Sequence, residues 1–427
     1  MIKSIILAAG KGTRMKSDTP KVLHTIFDKT LLGYVIEAVN KTSLVDENFI
    51  IVGHQAERVE DYIKQNYDNA KTVVQSPQLG TGHAVSMVLP YLNGYKGEVI
   101  ILCGDTPLVT EDTLKDFINA HYESGADLTV MSAIFDNPTN YGRIVRNSDE
   151  SLNSIVEEKD ATLEQKSIKE VNAGIYCFNW EKISPAFNEL TSNNAQGEYY
   201  LTDIIKWANQ KGLKVGANVL KNNEEIYGIN SKAHLAEASR MLNKKIVDKH
   251  LENGVTIVDP LTTWISLDTE IGADTVIYPN TYITGHNRIG NNCKIGPFAH
   301  LRGNVVLEDN VKIGNFVEVK NTLVKSNTNA CHLTYLGDSE IGANVNIGAG
   351  TITANYNPLT KVKSKTVIED SVKIGSNSVL VAPVKISEGA NVAALSVITK
   401  DIPAWALAIT RAPLKILELW VSKFLNK

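Results

Sequence analysis

Ala8-Ala9-Gly10-Lys11-Gly12-Thr13-Arg14 combines small residues with cationic ones, and the small residues let a backbone come close to a ligand. Successive N–H groups in such a turn form an anion-binding concavity, and Lys11, Arg14 and Lys21 surround it with positive charge. The chemistry indicated is capture of a phosphate or a sugar nucleotide. The stretch is not a G-x-x-x-x-G-K-[ST] loop, and Met15 breaks a G-x-G-x-x-G fingerprint. Gln75 offers a paired donor and acceptor suited to a base edge, and Gly80-Thr81 permits close backbone contact beside it. Asp105 follows the apolar run at 99–103. A carboxylate there suits Mg²⁺, which takes one or two protein ligands and keeps several waters beside substrate phosphates. In the second half, His332 supplies an imidazole able to exchange protons near neutrality. Cys331 adjoins it, but neighbours on a strand face opposite ways, which argues against a thiol–imidazole pair.

These groups need elements to hold them. Short apolar runs predict strands at 4–7, 48–52, 72–75, 99–103 and 127–135. Helical patterns fall at 30–41, 56–67, 82–89 and 111–124. Such alternation predicts an α/β domain with a mostly parallel, Rossmann-like sheet over 1–227, with ligands beyond the carboxyl ends of its strands. The stretch 228–253 reads as a helical linker ending before Gly254. Residues 254–427 carry a different signal. Aliphatic residues recur every sixth position from Ile271 through Ile277, Ile283, Ile289, Ile295, Leu301, Leu307 and Ile313 to Val319. The period ends there, restarts at Ile341 and Ile347, and continues from Ile368 to Ile398. This is a hexapeptide-repeat parallel β-helix, and its phase breaks, with the loop at 354–366, are where function can sit.

At 427 residues two domains are expected. A formal charge of −4 argues against a general nucleic-acid binder, so an anionic substrate must be held by local basic clusters. The four cysteines show no C-x-x-C spacing, which predicts neither zinc nor disulfides. No secretory pattern or membrane-length apolar run is present, so a reduced, cytoplasmic protein is expected.

The pattern L-A-A-G-x-G-T-R-M with Pro20-Lys21 resembles the signature of sugar-1-phosphate nucleotidylyltransferases. The resemblance implies substrate contacts from Leu7, Ala8, Ala9, Gly10 and Lys21, and uracil recognition by Gln75, Gly80 and Thr81. It implies further contacts from Cys103, Gly104 and Asp105, and Mg²⁺ on Asp105 and Asn230. Gly142 of a Y-G-R turn would pack on the sugar, with Glu157 and Asn172 on its hydroxyls and acetamido group. The implied reaction is uridylyl transfer from UTP to N-acetylglucosamine 1-phosphate. Its nucleophile is already anionic, so Arg14 and Lys21 would act by neutralising charge rather than moving protons. Glu198-Tyr199-Tyr200-Leu201 is a family landmark read as structural.

The β-helix half resembles an acetyltransferase, and the two halves in this order resemble the bifunctional N-acetylglucosamine-1-phosphate uridyltransferase/glucosamine-1-phosphate acetyltransferase family. That resemblance implies a left-handed helix, His332 as general base and Glu318 as its orienting partner. Arg302, Lys320 and Lys365 would hold the sugar phosphate, with Tyr335, Asn346 and Asn355 on its hydroxyls. Ala349, Asn355, Tyr356, Ser376, Ala394 and Arg411 would bind acetyl-CoA, in a homotrimer with shared sites. Three departures stand out: a prism shortened before Ile295, Gly303 in place of a proline, and Leu395 in place of a glycine. An amphipathic helix is expected at 414–425, packed on a neighbouring surface. Competing readings are a single-activity nucleotidylyltransferase with a regulatory β-helix, and an inactive assembly protein, the latter disfavoured by Arg14, Lys21 and Asp105.

Overall fold

The computed structural model describes residues 2–425, which divide into two units at 241/242. The first is built on a nine-stranded sheet. Its strands are β1 (Ile2–Leu7), β2 (Val45–Val52), β3 (Ala70–Val74), β4 (Glu98–Cys103), β5 (Leu128–Ile134), β6 (Arg143–Arg146), β7 (Leu152–Val156), β8 (Glu170–Asn179) and β9 (Val215–Val219). The order is β9-β5-β8-β4-β1-β2-β3, with β6 joining β8 and β7. β1 pairs in parallel with both β2 and β4, so Ile5 and Ile6 are buried on both faces. β8 runs antiparallel to β4 and β5. The hairpin of β6 and β7, absent from the sequence reading, extends this edge.

Helix starts follow local chemistry. Thr30 accepts from Gly33 N–H at the head of Leu31–Lys41, and Thr110 accepts from Thr113 N–H at the head of Glu111–Ser124. The helix expected at 82–89 is Thr81–Ser86, and its cap is Gly80 without a side-chain bond. Thr81 does not cap it; its hydroxyl accepts from Leu201 N–H at 3.0 Å.

In the second unit, three parallel sheets of nine, eight and seven strands form a three-sided β-helix. Register places Ile295, Ile313, Ala330, Ile347, Ile374 and Val392 in one inward file. Each buried aliphatic side chain contributes roughly 2 kcal/mol, so the files fix the winding. The break read after Val319 is corrected: Val324, Ala330 and Leu336 are fully buried and continue the column. The steps from Val319 to Val324 and from Leu336 to Ile341 are each five residues rather than six, and a period-six reading loses phase there. The loop near 355–365 leaves the prism.

Between the first and second sheets, the corners are made by residues with positive φ. These include Asn280, Phe298, Phe316, Leu333, Gly350, Asn377 and Leu395. Gly303 lies at another corner with φ 82°, where a Cβ would stand 2.1 Å from Asn321 Oδ1. Proline, fixed at negative φ, cannot occupy it.

The 414–425 helix is also corrected. Only Ser422–Leu425 is helical, and Leu417, Trp420, Val421 and Phe424 are exposed. Pro413 disfavours helix just before this segment, and so short a helix is marginal without a surface beneath it.

A Cβ on Gly314 would lie 1.9 Å from the Cys331 backbone oxygen one coil away. Gly314→Ala should therefore destabilise the β-helix by about 3 kcal/mol. Calorimetry should show its melting transition lowered by roughly 8 °C.

Candidate active sites

In the first unit, β1, β4 and β3 deliver their following residues to one edge of the sheet. Gly104 N–H donates to Leu7 O at 2.9 Å, and Gln75 N–H to Val52 O at 2.7 Å. Leu7 ends β1; Ala8 and Ala9 are buried, while Gly10 is exposed, with nothing near the place a Cβ would take. Gly12, at φ 59°, turns the chain into Thr13–Met15, which carries Arg14 on the exposed side. A Cβ on Gly12 would meet Lys21 Cβ at 2.7 Å, so the loop folds directly onto Lys21.

Lys21 Nζ contacts the Asp105 carboxylate and Asn230 Oδ1, the latter at 3.2 Å. Ile229 N–H donates to Asp105 O at 3.0 Å, tying the two segments together. Residues 84 and 209 positions from Lys21 thus converge on one ammonium group. No group of three or more His, Cys, Asp or Glu side chains among the described residues could hold a metal. The donor set fits Mg²⁺ by another route. A single cation already bridges the two oxygens, and a Mg²⁺ site of this kind takes its remaining ligands from waters and phosphates.

Beside this cluster, Gly142, Glu157 and Asn172 come together. A Cβ on Gly142 would lie 3.5 Å from Glu157 Oε2 and 3.6 Å from Asn172 Cβ. Asn172 N–H donates to Gly142 O at 2.8 Å, and its side chain bridges Tyr176 and Gly174. Thr202 donates to Glu157 Oε1 at 3.1 Å. Burial raises the Glu157 pKa despite that bond, and the nearby Asp160, Asp203 and Glu198 push it further. Burial also pushes the Cys103 thiol up to about 12, which leaves it protonated and suited only to lining the site.

Gln75 is nearly buried, and its amide nitrogen bonds Gly80 O at 2.9 Å and His83 Nδ1 at 3.1 Å. The 198–201 segment braces the loop that follows: Gly82 N–H donates to Tyr199 O and Tyr199 N–H to Leu79 O, both at 2.8 Å. His83 was not singled out from sequence, although it directly follows the Gly80-Thr81-Gly82 turn.

In the β-helix, His332 ends the strand Asn329–His332 and is exposed. Its Nδ1 meets Asn315 Oδ1 at 3.0 Å. The expectation that Glu318 orients His332 is corrected: Glu318 bonds Arg302 Nε at 2.6 Å, and it lies in register with Tyr335 on the second sheet. Asn315 is in register with His332, 17 residues earlier, a spacing hidden by the shortened coil.

The same register carries His332 past Ala349, and then Ser376 and Ala394, one per coil. Arg411 Nη1 reaches Ala394 O at 3.2 Å. Of the residues expected at acetyl-CoA, Ala349, Ser376 and Ala394 thus share a corner file with His332, whereas Asn355 and Tyr356 do not. Leu395, at φ 60° and exposed, flanks its end.

The sugar-phosphate set is less compact. Arg302 and Lys320 are in register on the second sheet, as are Glu318 and Tyr335. Burial lowers the Lys320 pKa, helped by neighbouring Lys363 and Arg302, and Lys363 was missed from sequence. Asn346 instead lies in the first-sheet file of Asn329 and Lys373. Lys365 pairs with Glu340 at 2.5 Å beside an open groove of about 530 Å³. Asn355 is buried against Asp338, and Tyr356 is exposed on the loop, bridged to Lys363.

Known proteins share this architecture. Residues 3–245 match the nucleotidyl transferase family and 288–321 the bacterial transferase hexapeptide (six repeats). "Bifunctional protein GlmU" of Acetivibrio thermocellus is 44% identical, covering 99% of this chain and 97% of that protein. The chain belongs to the bifunctional GlmU family.

The GlmU proteins of Caldanaerobacter subterraneus subsp. tengcongensis and Clostridioides difficile are 44% and 43% identical, each over 99% of this chain and 98% and 97% of theirs. The prism is accordingly the left-handed parallel β-helix of hexapeptide transferases. The A. thermocellus GlmU alignment spans 455 positions against 427 residues here, so at least 28 positions are filled only by the relative. A putative glucose-1-phosphate thymidylyltransferase from Bacillus anthracis matches with TM-score 0.46 and 20% identity, over 56% of this chain and 95% of that one.

Because the fold raises the Glu157 pKa, this residue favours the folded state below its unfolded pKa and loses that contribution as pH rises through the folded value. Glu157→Gln should therefore raise the melting temperature at neutral pH by about 2 °C. It should also raise the KM for the sugar phosphate, and a pH series on both proteins checks the two effects together.

Proposed function

We propose that the chain carries out both reactions of its family. It acetylates glucosamine 1-phosphate with acetyl-CoA and transfers UMP from UTP to N-acetylglucosamine 1-phosphate, giving UDP-N-acetylglucosamine and pyrophosphate. The observation that carries the uridylyl assignment is the meeting of Lys21 with Asp105 and Asn230 at the carboxyl edge of the sheet. There the Ala8–Gly12 backbone and Arg14 receive the triphosphate, while Lys21 neutralises charge as the phosphorus passes from pyrophosphate to the sugar phosphate. Gln75 and Gly80 face the base, and Gly142, Glu157 and Asn172 hold the N-acetyl sugar. Asp105 and Asn230 would hold Mg²⁺, which supplies positive charge to the phosphates.

In the β-helix, a proton on Nδ1 donated to Asn315 leaves His332 Nε2 free to accept one. The sugar amine attacks the thioester carbonyl, its proton passes to Nε2, and the CoA thiolate leaves and is protonated. Arg302, Lys320 and Lys363 supply cationic charge for the sugar phosphate, with Glu318 holding Arg302 in place. The spread of Asn346, Lys365 and the Arg302 set over three sheets supports a homotrimer in which a neighbouring chain completes each site. No helix among the described residues is long and apolar enough to cross a membrane.

A coupled assay with glucosamine 1-phosphate, acetyl-CoA and UTP tests both halves. Arg14→Ala and Lys21→Ala should each cut pyrophosphate release by roughly 10²–10³ while free CoA still appears. A loss under about threefold in both would sink the uridylyl assignment. His332→Ala should abolish CoA release, yet leave pyrophosphate release intact when N-acetylglucosamine 1-phosphate is supplied.

A further inference from the structure

The carbonyl oxygen of Gly80 can only accept, so the end of the Gln75 amide 2.9 Å from it must be the nitrogen. That nitrogen also lies 3.1 Å from His83 Nδ1, which must therefore accept and carry no proton. Two acceptors on one NH₂ group occupy both of its hydrogens. The amide oxygen is left as the acceptor that Gln75 can turn to a ligand.

We propose that His83 is a positioning residue for base recognition. By accepting from the Gln75 amide nitrogen, it holds the amide oxygen toward the base and favours pyrimidines that carry a proton on N3. Uracil presents that donor, whereas cytosine presents a lone pair at N3 and meets the oxygen with repulsion. The inference rests on the reading that Gln75 faces the base. Burial lowers the His83 pKa, which keeps the ring neutral as this bond requires. Tyr199, whose ring centroid is 6.3 Å from that of His83, belongs to the segment that braces the loop.

The test uses the full-length chain, pyrophosphate release, and kcat and KM for UTP and CTP. His83→Phe keeps a ring but removes the acceptor, while His83→Asn returns an amide oxygen close to the Nδ1 position. Gln75→Ala removes the reader itself. Gln75→Ala and His83→Phe should each lower the UTP-over-CTP ratio of kcat/KM by about tenfold or more. His83→Phe should act through KM with kcat within about threefold, and His83→Asn should restore the ratio to within about threefold. If Gln75→Ala collapses the ratio and His83→Phe does not, the role of His83 is overturned while base reading by Gln75 stands. If Gln75→Ala leaves the ratio unchanged, base reading fails and the His83 role with it. Ring ¹⁵N NMR of the unsubstituted protein gives a check that needs no variant: the Nε2–H tautomer is expected, and a proton on Nδ1 would overturn the proposal.

Discussion

Lateral registration of parallel strands is the constraint on which both halves of the molecule depend. A parallel pair offers evenly spaced hydrogen bonds and keeps neighbouring residues level across the ladder. In the first unit, that levels Leu7 with Cys103 and with Ile51, so the chain leaves the sheet at a common edge. The glycine loop, Asp105 and Gln75 are assembled there by their distance past the end of a strand. In the second unit, the same pairing stacks one residue from each coil into a file along the prism.

Files of this kind suit long, flexible ligands. Ala349, Ser376 and Ala394 are small, and their succession leaves a track leading away from His332. The corners of that track demand positive φ, which the chain meets with asparagine or glycine at several coils. Phe298, Phe316, Leu333 and Leu395 meet it with bulky side chains that remain exposed, and the two phenylalanines stack at 5.3 Å between centroids. Such residues pay a conformational cost that the surrounding ladder holds in place.

Charge is handled differently at the two sites. Around Lys21, opposite charges and an amide oxygen gather on one ammonium group, an arrangement ready to exchange partners when phosphates arrive. Around Lys320, like charges from Lys363 and Arg302 are brought together, with Glu318 on Arg302 and Asp338 near Lys320 offsetting them in part. The second arrangement is costly until an anion neutralises it.

Much was legible in the sequence because it depends on local pattern. The strand ahead of Ala8, the helices near 31–41 and 111–124, and the aliphatic period of the prism each follow from chemistry within a few residues. Side-chain partnerships were not legible. Asn315, not Glu318, partners His332 because it lies one 17-residue coil earlier in register, which the interrupted period alone does not show. His83 meets Gln75 only because a strand end and a helix start are folded against each other. The tail at 414–425 had the apolar spacing of a helix but no surface in this chain to stabilise one. Periodicity therefore determined most of the elements, while tertiary structure decided which side chains meet and whether a marginal helix such as 414–425 forms, because both depend on contacts between residues far apart in the chain.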